Sequence, residues 1–162
     1  MIKILFVCWG NICRSPMSEF IMKDLVEKRH LSGQFLIESA AHTSEEIGNP
    51  VYPPAARELA RHGIRCAGKR ARRITKADYD KFNWILGMEQ LNIGYMLRCF
   101  GGDPEHKVRR LLDFSDHPRD IADPWYTGEF GLTYTEIVEG CESLLSYLLR
   151  ENPELYKMNE DV

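Results

Sequence analysis

The sequence predicts an α/β fold built on a parallel sheet. Three observations carry this. Short apolar runs recur along the chain, at 2–7 (IKILFV), 35–39 (FLIES) and 82–88 (FNWILGM), as strands buried on both faces require. Apolar residues at helical spacing lie between and after them. Strands that alternate with helices form parallel sheets with right-handed crossovers.

The elements follow in order. After the first strand, Ser15 reads as an N-cap and Pro16 as the first helical residue; Met17, Phe20, Ile21 and Leu25 then repeat on one helical face. Pro53-Pro54 opens a second helix through AARELARH, which Gly63 closes. KVRRLLDF (107–114) reads as a weaker strand. Tyr134, Ile137, Val138, Cys141, Leu145 and Leu148 form the stripe of a last helix, with Pro153 beyond its end. The 162 residues suit one domain over 1–162, of which about 153–162 reads as a polar tail. There is no internal repeat and no low-complexity segment. The stretch 115–131 is long, polar and Pro/Gly-bearing, and a long loop of this kind beside a parallel sheet is a natural place for function.

Composition narrows the class. The net charge is −3, so no nucleic-acid partner is expected. Arg57, Arg61, Arg65, Lys69, Arg70, Arg72 and Arg73 nevertheless crowd one stretch that holds a single acid, Glu58. The ordinary reading is a solvated face; the sharper one is a basic rim that attracts an anionic substrate. Residues 1–7 lead directly into a glycine-containing loop, unlike a secretory leader, and no apolar run approaches the ~20 residues that span a bilayer. Five cysteines, an odd count without framework spacing, fit reduced thiols. A soluble, cytoplasmic protein without a membrane partner is expected.

The chemistry concentrates in FVCWGNICRSPMSEF, residues 6–20. Cys8 and Cys13 are too widely spaced for a zinc pair and lack a nearby histidine. A nucleotide-binding P-loop would need a Gly-Lys-Ser/Thr ending, which is absent. A phosphate cradle fits the order of residues. The strand delivers Cys8 to the sheet rim, and Gly10 and Asn11 can adopt positive φ so that backbone N–H groups point inward. The following helix adds its N-terminal dipole, and Arg14 offers a planar fork to two oxygens. That field favours the Cys8 thiolate, a nucleophile facing bound phosphate. Cys-x5-Arg alone is weak, since Cys66 and Arg72 share the spacing; that copy lacks the strand, the Gly-Asn loop and the Ser-Pro helix start.

Phosphoryl transfer from an ester also needs an acid for the leaving oxygen and then a base for water. Asp123 in IADPWYTGEF is the best candidate: Pro124 holds it extended, and Trp125 and Tyr126 can flank an aromatic leaving group. Asp113, Asp116 and Asp120 are rivals on the same loop, and spacing does not choose among them.

Taken together, VCWGNICRSP and DPWY resemble the phosphate loop and general-acid loop of the low-molecular-weight protein tyrosine phosphatases. SAAHT (39–43), GNP (48–50), HGI (62–64), ARRIT (71–75) and NWILGMEQLN (83–92) extend the likeness over most of the chain. The resemblance implies a three-layer α/β fold with a four-stranded parallel sheet flanked by helices, and neither metal nor cofactor. It implies hydrolysis of phosphotyrosine in proteins or peptides through a cysteinyl-phosphate, with phosphate and other oxyanions binding the same site. The loop is Cys8, Trp9, Gly10, Asn11, Ile12, Cys13, Arg14 and Ser15. Cys8 is the implied nucleophile, Arg14 the clamp, and Asp123 the acid and then base. Ser15 is expected to hydrogen-bond Cys8, Asn11 to hold the loop with Ser39 as its partner, and Cys13 to pair with oxidised Cys8. Trp9, Trp125 and Tyr126 would wall the substrate.

The chain departs from the family pattern at Trp9, Ala41, Tyr52, Lys69 and Glu89, which bears on packing and partner recognition. Three other activities share features with it. Arginine phosphatases of the same superfamily resemble it but carry threonine at Ile12. Thiol-dependent arsenate reductases need a close downstream cysteine pair, which Cys66, Cys99 and Cys141 do not form. Phosphocarrier domains lack the Arg14 and Asp123 equivalents, whereas an inert binding module would not need them.

Overall fold

The structure is a computed structural model and describes residues 1–155. Strand β1 (Ile2–Cys8) is central in a four-stranded, all-parallel sheet. On one side it pairs with β2 (Phe35–Ala41) and on the other with β3 (Trp84–Gly87), beyond which lies β4 (Val108–Arg110). The central place explains the unbroken apolar run: Ile4, Leu5, Phe6 and Val7 are all fully buried.

Alternate residues of β1 serve two cores. Ile4 and Phe6 pack with α1 (Arg14–Lys28), α2 (Pro53–Arg61) and α6 (Phe130–Glu151), and Leu5 and Val7 with α3 (Lys76–Lys81) and α4 (Gln90–Phe100). This is the three-layer arrangement expected. Because β2 and β3 flank β1 on opposite sides, chain direction switches beside the carboxyl end of β1, where open α/β sheets place their ligand crevices. Cys8 ends that strand.

Several expectations change in detail. Ser15 is not the N-cap of α1. The helix begins at Arg14 with Cys13 as its cap, because the Ser15 hydroxyl is committed to the loop beside it. Pro16 still falls in the first turn, where its missing N–H leaves no bond unmade. Gly10 does not take positive φ; Asn11 does, at 59°. Phe82 lies outside β3, as the C-cap of α3.

Helices α3 and α4 were not expected. Each opens on a capping box, Thr75 with Asp78 and Glu89 with Asn92. The 107–114 segment splits into the three-residue β4 and a 3-10 turn, Leu111–Phe114. Gly63 does close α2, at φ 76°. On α6, Ile137, Cys141, Leu145 and Leu148 are buried as predicted, while Tyr134 and Val138 flank the core and Gly140, Leu144 and Leu149 complete the face. Past Pro153, Leu155 is buried; residues 156–162 of the expected tail lie outside the described residues. Among the described residues no helix is long and apolar enough to cross a membrane.

Candidate active site

The turn between β1 and α1 is held by side chains packed behind it. Asn11 is 1 % exposed and sits in the left-handed region, which asparagine tolerates better than most residues. Its Nδ2 donates to Ser15 Oγ at 2.7 Å and to Ser39 Oγ at 3.0 Å, and its Oδ1 accepts from the Arg72 backbone N–H at 3.2 Å. Ser39 donates in turn to Glu19 Oε1 at 2.6 Å. Lys69 donates to the Ser39 carbonyl at 2.9 Å and lies 3.5 Å from Glu19. Burial pulls the Lys69 ammonium below its ordinary pKa, against the opposing pull of Glu19. The expected Asn11–Ser39 contact is thus present, within a larger network.

Cys8 is 3 % exposed. Its Sγ donates to Ser15 Oγ at 3.0 Å and accepts from the Ser15 backbone N–H at 3.4 Å. The serine hydroxyl and the first-turn amide of α1 both face the sulfur, and either can stabilise negative charge there.

Arg14 is as buried as the core, at 1 % exposure. Its Nη1 donates to the Ile121 carbonyl at 2.8 Å, and its Nη2 lies 3.2 Å from Glu89 Oε1 and 3.4 Å from Asp123 Oδ2. Burial works against the guanidinium charge, but Cys8, Asp123 and Glu89 outweigh it and raise its pKa above the usual value. Glu89 was not recognised as a site residue. Its signal was its position: an acid just past the carboxyl end of β3, at the edge where Cys8 emerges.

The structure separates the four aspartates of the 115–131 loop and its approach. Asp113 is bound by Arg110 through its backbone N–H and guanidinium. Asp120 accepts from the Gln90 backbone N–H at 2.9 Å and from Arg110 at 3.1 Å. Neither of them, nor Asp116, lines the cleft with Cys8. Asp123 does, as the N-cap of α5 (Pro124–Thr127), accepting from the Trp125 N–H at 3.1 Å.

That cleft, about 140 Å³, is lined by Cys8, Trp9, Gly10, Ile12, Cys13, Arg14, Glu45, Glu46, Asp123, Trp125 and Tyr126. Trp125 leans on Tyr52 with ring centres 4.8 Å apart, and Tyr126 is 84 % exposed. The Trp9 indole donates to Glu45 at 2.9 Å and meets His42 and Tyr95 edge-on, so it forms a fixed wall of the cleft. Cys13 is buried. Burial, then the charges of Cys8 and Asp123, push its thiol pKa strongly up.

His42 was not singled out as a site residue. It is 4 % exposed, stacked on Tyr95 at 4.6 Å, with Nε2 3.0 Å from the Asn92 amide and Nδ1 unpartnered. Its backbone N–H donates to the Cys8 carbonyl at 3.1 Å. Burial, then the Arg14 charge, pulls its pKa down to about 4, so the imidazole is neutral at pH 7.

The basic run does not form a rim. Arg61 pairs with Glu58, Lys69 is tied behind the loop, Arg72 pairs with Asp78 and Glu38, and none of the seven lines the cleft. The Cys66–Arg72 copy of the motif has no site around it: the Arg72 guanidinium is engaged by those two acids on the α3 side.

Comparison with known proteins points to one family. The family described as low molecular weight phosphotyrosine protein phosphatase matches residues 3–154. The chain belongs to this family. The low molecular weight protein-tyrosine-phosphatase YfkJ of Bacillus subtilis is 40% identical over 153 residues, covering 93% of this chain and 98% of that protein. Its crystal structure superposes with a TM-score of 0.91 over 94% of this chain and 97% of that one. The family member SP-PTP of Streptococcus pyogenes is 35% identical, with a TM-score of 0.82 over 91% of this chain and 93% of that one. The structure titled DARP, drosophila arginine phosphatase, is 31% identical, with a TM-score of 0.83 over 91% of this chain and 98% of that one.

Proposed function

We propose that this protein is a phosphoric monoester hydrolase that removes phosphate from phosphotyrosine in proteins. The observation that carries the reading is the convergence of Cys8, Arg14 and Asp123 on one cleft walled by Trp9, Trp125 and Tyr126. A phenolic ring fits between those aromatic walls while its phosphate sits on the loop amides.

Cys8 Sγ attacks phosphorus in line with the ester oxygen. Arg14 and the loop N–H groups take the equatorial oxygens, where preorganised donors stabilise the charge of the transition state. The acid form of Asp123 protonates the departing phenolate oxygen, leaving a cysteinyl-phosphate. The Asp123 carboxylate then takes a proton from water, which attacks phosphorus and frees inorganic phosphate and Cys8. Ser15 steadies the sulfur in each thiolate stage. Cys13, in the wall beside Cys8, is the resolving thiol when Cys8 is oxidised. Free phosphate and similar oxyanions occupy the same cradle as competitive inhibitors.

The fold is shared with a protein named as an arginine phosphatase, so the fold does not select the substrate. Ile12 favours the aromatic ester, because its apolar side chain lines the cleft next to Trp125 and offers nothing to a guanidino group. The test is steady-state phosphate release from matched phosphotyrosine, phosphoserine and phosphoarginine peptides, with Cys8→Ser as the blank. Phosphotyrosine turnover that vanishes in Cys8→Ser is expected; turnover confined to phosphoarginine would overturn the reading.

A further inference from the structure

Beside the catalytic cleft lies a groove of about 270 Å³, lined by Ile12, Glu46, Asn49, Pro50, Val51, Tyr52, Pro53 and Trp125. Ile12, Glu46 and Trp125 also line the cleft itself, so the two spaces adjoin across these side chains. The groove is fixed to the phosphate loop: the Tyr52 backbone N–H donates to the Ile12 carbonyl at 2.9 Å, and Glu46 packs against Gly10, where an added Cβ would lie 3.1 Å from Glu46 Cγ. A side chain at Gly10 would press on Glu46.

The walls are aromatic and aliphatic, with Trp125 half-exposed above Tyr52. The acid beside them, Glu46, accepts one hydrogen bond, from Asn49 Nδ2 at 2.6 Å, and has no salt-bridge partner among the described residues. A carboxylate without a cation at the mouth of a site built for a phosphate dianion repels its substrate. The repulsion turns to attraction when the substrate supplies the missing cation.

Resting on the phosphatase reading above, we propose that this groove takes a lysine or arginine side chain flanking the phosphotyrosine. The aliphatic stem lies along Ile12 and Tyr52, the cationic head reaches Glu46, and the Trp125 ring offers its face to the charge. Tyr52 is one of the positions where the sequence departs from the family pattern, so the preference belongs to this chain's own residues. The groove acts on substrate choice and takes no part in bond-breaking.

The experiment is kcat/KM on a set of phosphotyrosine peptides that differ only in the residues one and two places before and after the phosphotyrosine, carrying Lys, Ala or Glu. We expect Lys at one of these places to exceed Glu by about tenfold, from one partly exposed ion pair with an aromatic contact. The Lys-to-Glu ratio should collapse toward one in Glu46→Gln and invert in Glu46→Lys. The ratio is measured within each variant, so a general loss of activity does not disturb it. Equal turnover of all peptides by the wild type would overturn the groove while leaving the phosphatase reading standing. A preference that survives Glu46→Gln would overturn its assignment to this groove. Absence of turnover on every phosphotyrosine peptide would remove the phosphatase reading, and this proposal with it.

Discussion

The Arg14 guanidinium, 1 % exposed, holds the Asp123 carboxylate at 3.4 Å across the floor of the cleft. The contact joins the turn after β1 to the loop before α5. It brings the candidate anion clamp and the candidate proton donor into one space, with Glu89 supplying a second acid to the buried cation at 3.2 Å. A buried guanidinium is expensive unless fully partnered, and here the Ile121 carbonyl, Glu89 and Asp123 all engage it.

The aspartates of the loop are expected to divide by partner. Asp123→Asn keeps the shape of the side chain but cannot give or take the proton, so kcat on a phosphotyrosine peptide falls ~10²–10⁴-fold. Asp120→Asn perturbs only the cap of α4 and the Arg110 pair and leaves kcat within about threefold. Initial-rate measurements on the two variants decide between them; equal losses would reassign the acid.

Asn11 combines a left-handed backbone with three hydrogen-bonding partners, Ser15, Ser39 and the Arg72 N–H. Asn11→Ala adds backbone strain to the lost bonds and should destabilise the fold by about 2–4 kcal/mol. Asn11→Gly relieves the strain but restores none of the bonds, so it recovers about 1 kcal/mol of stability without recovering activity. Urea unfolding beside phosphate release separates the two effects.

His42 makes stability depend on pH in a defined window. Its folded pKa, about 4, lies below the ordinary value of 6.5, so as pH falls the unfolded chain takes up the proton first. The associated stability is intact above pH 6.5 and is lost between 6.5 and 4, by about 3 kcal/mol. His42→Gln should be flatter across this window in urea unfolding. Parallel curves for the two proteins would show that His42 titrates normally.

Gly140 faces Leu111 where α6 crosses the 3-10 turn, and a Cβ there would lie 2.5 Å from Leu111 Cγ. Gly140→Ala should lower stability by about 1–3 kcal/mol despite alanine's better helix propensity, and Gly140→Ala with Leu111→Ala should recover part of the loss. A simple gain in thermal midpoint for the single variant would mean the turn shifts freely.

What could be read from the sequence divides along physical lines. The apolar run at 2–7 and the stripe on α6 report burial directly, and the order Cys8, Gly10, Asn11, Arg14 announced a strand, a tight turn and a helix start in succession, which the structure contains. The short helices α3 and α4 escaped because their signal lies in reciprocal caps, Thr75 with Asp78 and Glu89 with Asn92, more than in apolar periodicity. Ser15 was misread as a cap because a serine before proline carries the same local signature whether its hydroxyl turns to the helix or to a sulfur. The choice of Asp123 over Asp120, and the approach of Glu89 to Arg14, depend on contacts between distant segments that no local pattern encodes. The basic stretch 57–73 looked like one feature along the chain, yet Arg61, Lys69 and Arg72 turn to separate acids, while Arg57, Arg65, Arg70 and Arg73 stay exposed away from the cleft lining.

In the proposed reaction Cys8 Sγ is the atom that carries the phosphoryl group. The direct measurement is intact-mass and peptide-mapping spectrometry of Asp123→Asn, quenched in acid during turnover of a phosphotyrosine peptide. One phosphoryl group on Cys8, absent from Cys8→Ser, is the predicted result. Phosphate release with Cys8 unmodified, or a phosphoryl group on Cys13, would contradict it.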